Sequence, residues 1–105
     1  VQSLNFNKTN YDGIKRGKRT TIRLGSWPSM ELGPAALECR SEMTACEVEI
    51  TEIRQVRLRD LGLSEAVADG FNSTEELREE LERCYEKCIS GFEPVTVFRF
   101  KLPNE

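Results

Sequence analysis

A chain of 105 residues holds one modest core and not two, so a single domain spanning 1–105 is expected. Its 38% hydrophobic and 31% charged residues suit a soluble globule, and no apolar run approaches the roughly 18 residues of a membrane span. A net charge of −3 excludes nonspecific coating of nucleic acid, and the polar start excludes a signal peptide, which leads to the expectation of a cytoplasmic protein without a membrane partner.

Val1 to Asn7 alternates weakly, with Leu4 and Phe6 on one face, and reads as a first strand. Thr9 or Asn10 then caps a short helix through Tyr11, Ile14 and Lys15, and Gly17 ends it. Thr20-Thr21-Ile22 favours strand, because β-branched side chains suit a pleated surface. Gly25-Ser26-Trp27-Pro28 breaks that strand, and Trp27 is either a lid over a pocket or a plug on the rim of the core. After the Gly33-Pro34 turn, Ala35 to Arg40 reads as a strand and Ser41 to Thr44 as its hairpin connection. Cys46, Val48 and Ile50 alternate with Glu47, Glu49 and Thr51, which marks a half-buried strand. It continues through Ile53, Val56 and Leu58, with a bend expected near Arg54-Gln55.

A short helical piece, Glu65 to Asp69, is stopped by Gly70-Phe71. Ser73 and Glu76 form a capping box for a helix whose stripe is Leu77, Leu81, Cys84, Tyr85 and Cys88. Val95 to Leu102 is the last strand. Five or six short strands with two or three helices, lacking regular strand–helix alternation, imply an α+β fold around a small, mostly antiparallel β-barrel. Phe6, Ile22, Val48, Ile50, Leu77, Leu81, Tyr85, Val97 and Phe98 are its expected core. Cys39, Cys46, Cys84 and Cys88 lack the two-residue knuckle spacing usual for structural zinc, and there is no His. Free thiols, no metal and no cofactor are expected.

The charge is uneven. Residues 1–59 hold ten Lys/Arg against seven Asp/Glu, while residues 60–105 hold five against eleven. Within 8–23 stand six cations (Lys8, Lys15, Arg16, Lys18, Arg19, Arg23) and one anion, Asp12. Two readings stand side by side: the patch holds a phosphate-bearing ligand, or the acidic C-terminal half packs against it and neutralises it. Strand parity puts Arg19, Thr21 and Arg23 on one face and Lys18, Thr20 and Ile22 on the other. Lys18 meets Thr21 only if it precedes the pleat, in the turn that Gly17 permits. An amine, a hydroxyl and a guanidinium would then surround one cleft, the alternative being a solvated hairpin edge.

Lys18-Arg19-Thr20-Thr21-Ile22-Arg23 resembles the K-x-x-T-x-R core of the ASCH domain family. The helix and Gly ahead of it, Asp69-Gly70-Phe71 before the capped helix, and the closing Pro94-Val95-Thr96-Val97 strand are also similar to that family. One departure is Arg16, where the family usually has glycine. The resemblance implies a PUA-like fold and RNA or a modified nucleoside as partner. Lys18, Arg19 and Arg23 would then hold phosphate or base edges, with Trp27 as stacking platform. It also implies an alternative, since one bacterial branch is an amidohydrolase that removes the acetyl group from N4-acetylcytidine with a Lys, a Thr and a Glu. Lys18, Thr21 and Asp69 stand at those positions, the last as Asp in place of Glu.

Overall fold

The computed structural model describes residues 2–105, so Val1, the first residue of the expected opening strand, lies outside the described residues. Five strands and three helices follow one another as β1 (Ser3–Asn5), α1 (Lys8–Lys15), β2 (Thr20–Leu24), β3 (Gly33–Cys39), β4 (Thr44–Arg57), α2 (Leu63–Ala68), α3 (Thr74–Tyr85) and β5 (Pro94–Lys101). Single 3-10 turns, Arg40–Glu42 and Leu58–Asp60, flank β4. The strands form one curled, half-barrel sheet in the order β1-β3-β4-β5-β2, antiparallel except where β1 runs parallel to β3. The expected α+β, mostly antiparallel architecture is what the chain builds. No helix among the described residues is long and apolar enough to cross a membrane.

The curl comes from β4. Its first half pairs with β3 from Thr44 to Ile50, and its second half pairs with β5 from Glu49 to Arg57. The register shifts between Ile50 and Glu52, so the strand turns there and not at Arg54-Gln55 as expected. An inserted residue bends a strand and raises its twist, which lets one long strand serve two partners.

In place of the single core expected from length, two hydrophobic clusters form on the two faces of the one sheet, and β5 feeds both. Phe98 and Phe100 join Leu4, Phe6, Ile14 and Leu37 on one side, while Val95 and Val97 join Ile22, Leu58, Leu77 and Leu81 under α2 and α3. Eight of the nine expected core residues are buried; Tyr85 is not, at 37% exposed. The helix ends at Tyr85 and Glu86 takes a left-handed conformation (φ 54°), so the apolar stripe does not continue to Cys88. Cys84 and Cys88 are exposed, Cys46 is half-buried and only Cys39 is buried.

The caps show the local chemistry. The Ser73 side chain accepts the Glu76 N–H at 3.0 Å, the first half of the expected box. At α1 the cap is Asn7, not Thr9 or Asn10: its side-chain oxygen accepts the Asn10 N–H at 2.8 Å. Trp27 is a plug. Its ring meets Phe98 edge-on with centroids 5.9 Å apart, and its indole N–H donates to the Leu24 carbonyl at 3.0 Å.

Candidate functional site

The site begins where α1 unwinds into β2. Gly17 takes φ +105°, a value that costs a glycine little. The Lys18 N–H returns to the Gly13 carbonyl at 3.0 Å, and β2 starts only at Thr20. Lys18 thus precedes the pleat, the one arrangement that lets it share a cleft with Thr21. Its stem runs close over Gly13, where an added Cβ would stand 3.4 Å from Lys18 Cδ.

Asp69 arrives from the other side, on the last turn of α2, where its N–H donates to the Glu65 and Ala66 carbonyls and Gly70 (φ +95°) reverses the chain. Asp69 Oδ1 lies 2.5 Å from Lys18 Nζ. No donor meets Oδ1 at a hydrogen-bond angle, so this contact is an ion pair. Oδ2 accepts the Ile22 N–H at 3.2 Å. Lys18 is 8%, Thr21 3% and Asp69 4% exposed. Burial pushes the Asp69 carboxyl up from 3.8 to about 6, against the opposing pull of Lys18, the Ile22 N–H and Arg23.

Arg23 completes the constellation. Its Nε donates to Thr21 Oγ1 at 3.1 Å, and its guanidinium lies 4.6 Å from the centroid of Phe6, the ring that Lys18 Nζ also approaches at 5.5 Å. Burial lowers the Arg23 pKa. Among the described residues no carboxylate lies within 4 Å of it, whereas Lys18 is paired. Lys18, Thr21, Arg23 and Asp69 all line one cavity of about 440 Å³, with Phe6, Phe71 and Tyr85 among its walls. The Tyr85 hydroxyl accepts the Leu24 N–H at 3.3 Å. Asp69 and Tyr85 therefore cover backbone donors of the edge strand β2.

Two expected ligand contacts lie elsewhere. Trp27 does not line this cavity, because its ring closes the core against Phe98. Arg19 does not line it either. Its Nη1 donates to the Ile14 and Lys18 carbonyls, and its Nε and Nη2 donate to Glu105. Parity within β2 still holds for Thr21 and Arg23, which reach the cavity from one face.

Glu80, Asn7, Asn10, Phe71 and Tyr85 are cavity residues that the motif did not single out. Glu80 was legible in principle: it stands three residues after Leu77 and four before Cys84, at the border of the apolar stripe. Among the described residues no group of three His, Cys, Asp or Glu is arranged to hold a metal ion.

No family model matches the sequence, and no curated protein matches it. Solved structures do match the fold. The ASCH domain from Lactobacillus crispatus aligns with a TM-score of 0.67 and 16% identity over 95% of this chain and 77% of that one. A DUF984 protein from Enterococcus faecalis aligns with a TM-score of 0.63 and 12% identity over 91% of this chain and 67% of that one. The half-barrel with its three helices thus shares the fold of that ASCH domain.

Proposed function

We propose that the cavity beside Lys18 and Thr21 binds one nucleoside, free or as an exposed base of RNA. The observation that carries this reading is three buried polar side chains, Lys18, Thr21 and Asp69, gathered with Arg23 in one cavity with aromatic walls. About 440 Å³ lies within the range of pockets that enclose small organic ligands. The Thr21 hydroxyl accepts from Arg23, which leaves its own proton to donate to a ligand carbonyl. The remaining N–H groups of Arg23 offer a planar fork to a carbonyl or a phosphate. Tyr85 and Phe71 replace Trp27 as stacking candidates. Calorimetric titration with cytidine and N4-acetylcytidine tests this. Binding is expected to weaken at least about tenfold in Thr21→Val, the loss typical when a buried partner is left unpaired. Wild-type protein that bound neither nucleoside would refute the reading.

A second reading, amidohydrolysis of N4-acetylcytidine, draws on the meeting of Lys18, Thr21 and Asp69 in that same cavity. The Thr21 oxygen would attack the acyl carbon and pass its proton to the Lys18–Asp69 pair, which returns it to the departing amine; water then cleaves the acyl-threonine. In the structure Lys18 contacts Asp69 while Thr21 Oγ1 is bonded to Arg23, so Lys18 must move toward Thr21 when substrate enters. Asp69 already touches Lys18, so its shorter side chain leaves no gap for a glutamate to close. Asp69→Glu is therefore expected to lower any turnover of acetylcytidine, and to cost about 1–3 kcal/mol of stability by overpacking a buried site. A rate increase in Asp69→Glu, followed by release of acetate, would contradict this account of the acid.

A further inference from the structure

Lys18 and Asp69 also line a second hollow of about 440 Å³, together with Gly13, Arg16, Gly17 and Gly70. The two hollows share Asn10, Lys18, Asp69, Phe71, Glu80 and Arg83 as common wall. Across that wall runs a polar crosspiece. Glu80 Oε2, on α3, accepts from the side-chain amides of Asn10 at 3.2 Å and Asn7 at 3.5 Å, both at the start of α1. Arg83 holds Oε1 at 2.8 Å, and Cys84 Sγ donates to Oε2 at 3.4 Å. The Glu80 side chain is only 20% exposed. Its α1 anchor is fixed in turn, because Asn7 caps that helix. A carboxylate with this many donors forms charge-assisted bonds that hold both helices at one separation.

We propose that Glu80 is the specificity-determining crosspiece of the site, dividing one groove into two hollows so that it admits a single nucleoside-sized molecule and excludes a continuous strand. This rests on the nucleoside reading above and narrows it to the free monomer. Each hollow alone is of a size for one ring system with its sugar, whereas a strand with residues in both hollows must cross the shared wall to which Asn10 and Glu80 belong. Asn7 and Asn10 position that bond from one bank, and Arg83 from the other.

The test titrates wild type, Glu80→Gln and Glu80→Ala with cytidine and with a short oligocytidylate. Wild type is expected to bind cytidine at least about tenfold more tightly than the oligomer. Glu80→Ala is expected to erase that preference by tightening oligomer binding, whatever cytidine affinity it loses as a cavity residue. Glu80→Gln keeps the crosspiece's length and is expected to retain most of the preference. Should Glu80→Ala lose its fold, Asn10→Ala removes the bond from the other bank with the same expected result. Wild type that binds the oligomer as tightly as cytidine, or a preference unchanged in both alanine variants, overturns the proposal while leaving nucleoside binding in place. Failure of wild type to bind cytidine at all overturns both.

Discussion

Asp69 carries the site's sharpest pH dependence. Its carboxyl is raised by burial from 3.8 to about 6, with Lys18 as the main opposing influence. Between those values the folded protein holds a proton that the unfolded chain releases. Its contribution to stability is therefore fully present below about pH 4 and is lost as the pH rises through about 6. The size is on the order of 3 kcal/mol. Denaturant titrations across this range should show wild type losing stability relative to Asp69→Asn as pH increases. A constant difference between the two would mean that Asp69 titrates normally. Lys18→Met isolates the other partner. It leaves a buried carboxylate without its cation, at a cost of about 3–5 kcal/mol near neutral pH. That loss should shrink as the pH falls toward about 6, because without Lys18 the carboxyl takes up its proton already above that value. A loss independent of pH would assign Lys18 a packing role only.

The elements divide according to how local their causes are. β4 was legible because Cys46, Val48 and Ile50 alternate with charged residues, and the start of α3 was legible because Ser73 stands three residues before Glu76. The end of α3 was not. Glu86 adopts φ 54° without being glycine, and the Lys87 N–H returns to the Glu82 carbonyl, a left-handed cap that no glycine in the sequence announces. The Lys18–Asp69 pair was only half legible: motif spacing singled out both residues, but their meeting depends on the α2 turn packing against the edge of β2. Glu80 was missed because its partners across the groove, Asn7 and Asn10, lie 73 and 70 residues away in the chain. The two helix caps now separate local from shared roles. Ser73→Ala should cost about 1 kcal/mol in denaturation and leave nucleoside affinity unchanged. Asn7→Ala should cost a similar amount and also weaken nucleoside binding, since the same side chain caps α1 and holds Glu80. Equal effects of the two variants on affinity would remove Asn7 from the site.

At the scale of the whole molecule, the uneven charge read from the sequence resolves toward neutralisation. Of the six cations in 8–23, Lys8 pairs with Asp12 at 2.9 Å, Lys18 with Asp69, and Arg19 with Glu105 at 2.7 Å. Two of those three partners come from the acidic C-terminal half. Arg19 also holds the Glu105 carboxyl down at about 2, and its five hydrogen-bonding contacts tie the end of α1 and the start of β2 to the chain's last residues. A guanidinium so engaged contributes little to a phosphate contact. The salt dependence of binding to single-stranded RNA decides the matter, because each phosphate neutralised adds about 0.7 to the slope of log K against log salt. Six free cations would give a slope near 4, whereas Arg23 acting alone would give one below about 1. Of the three cations unpaired among the described residues, Arg23 is the one that lines the nucleoside cavity. The smaller slope is expected for wild type. Arg19→Ala should leave that slope unchanged while lowering stability by about 1–2 kcal/mol, the cost of its hydrogen bonds to the backbone. Arg23→Met should flatten the slope to nearly zero. A steep slope in wild type that Arg19→Ala reduces by one full contact would restore the open basic patch, and with it a polymer held from outside the cavity.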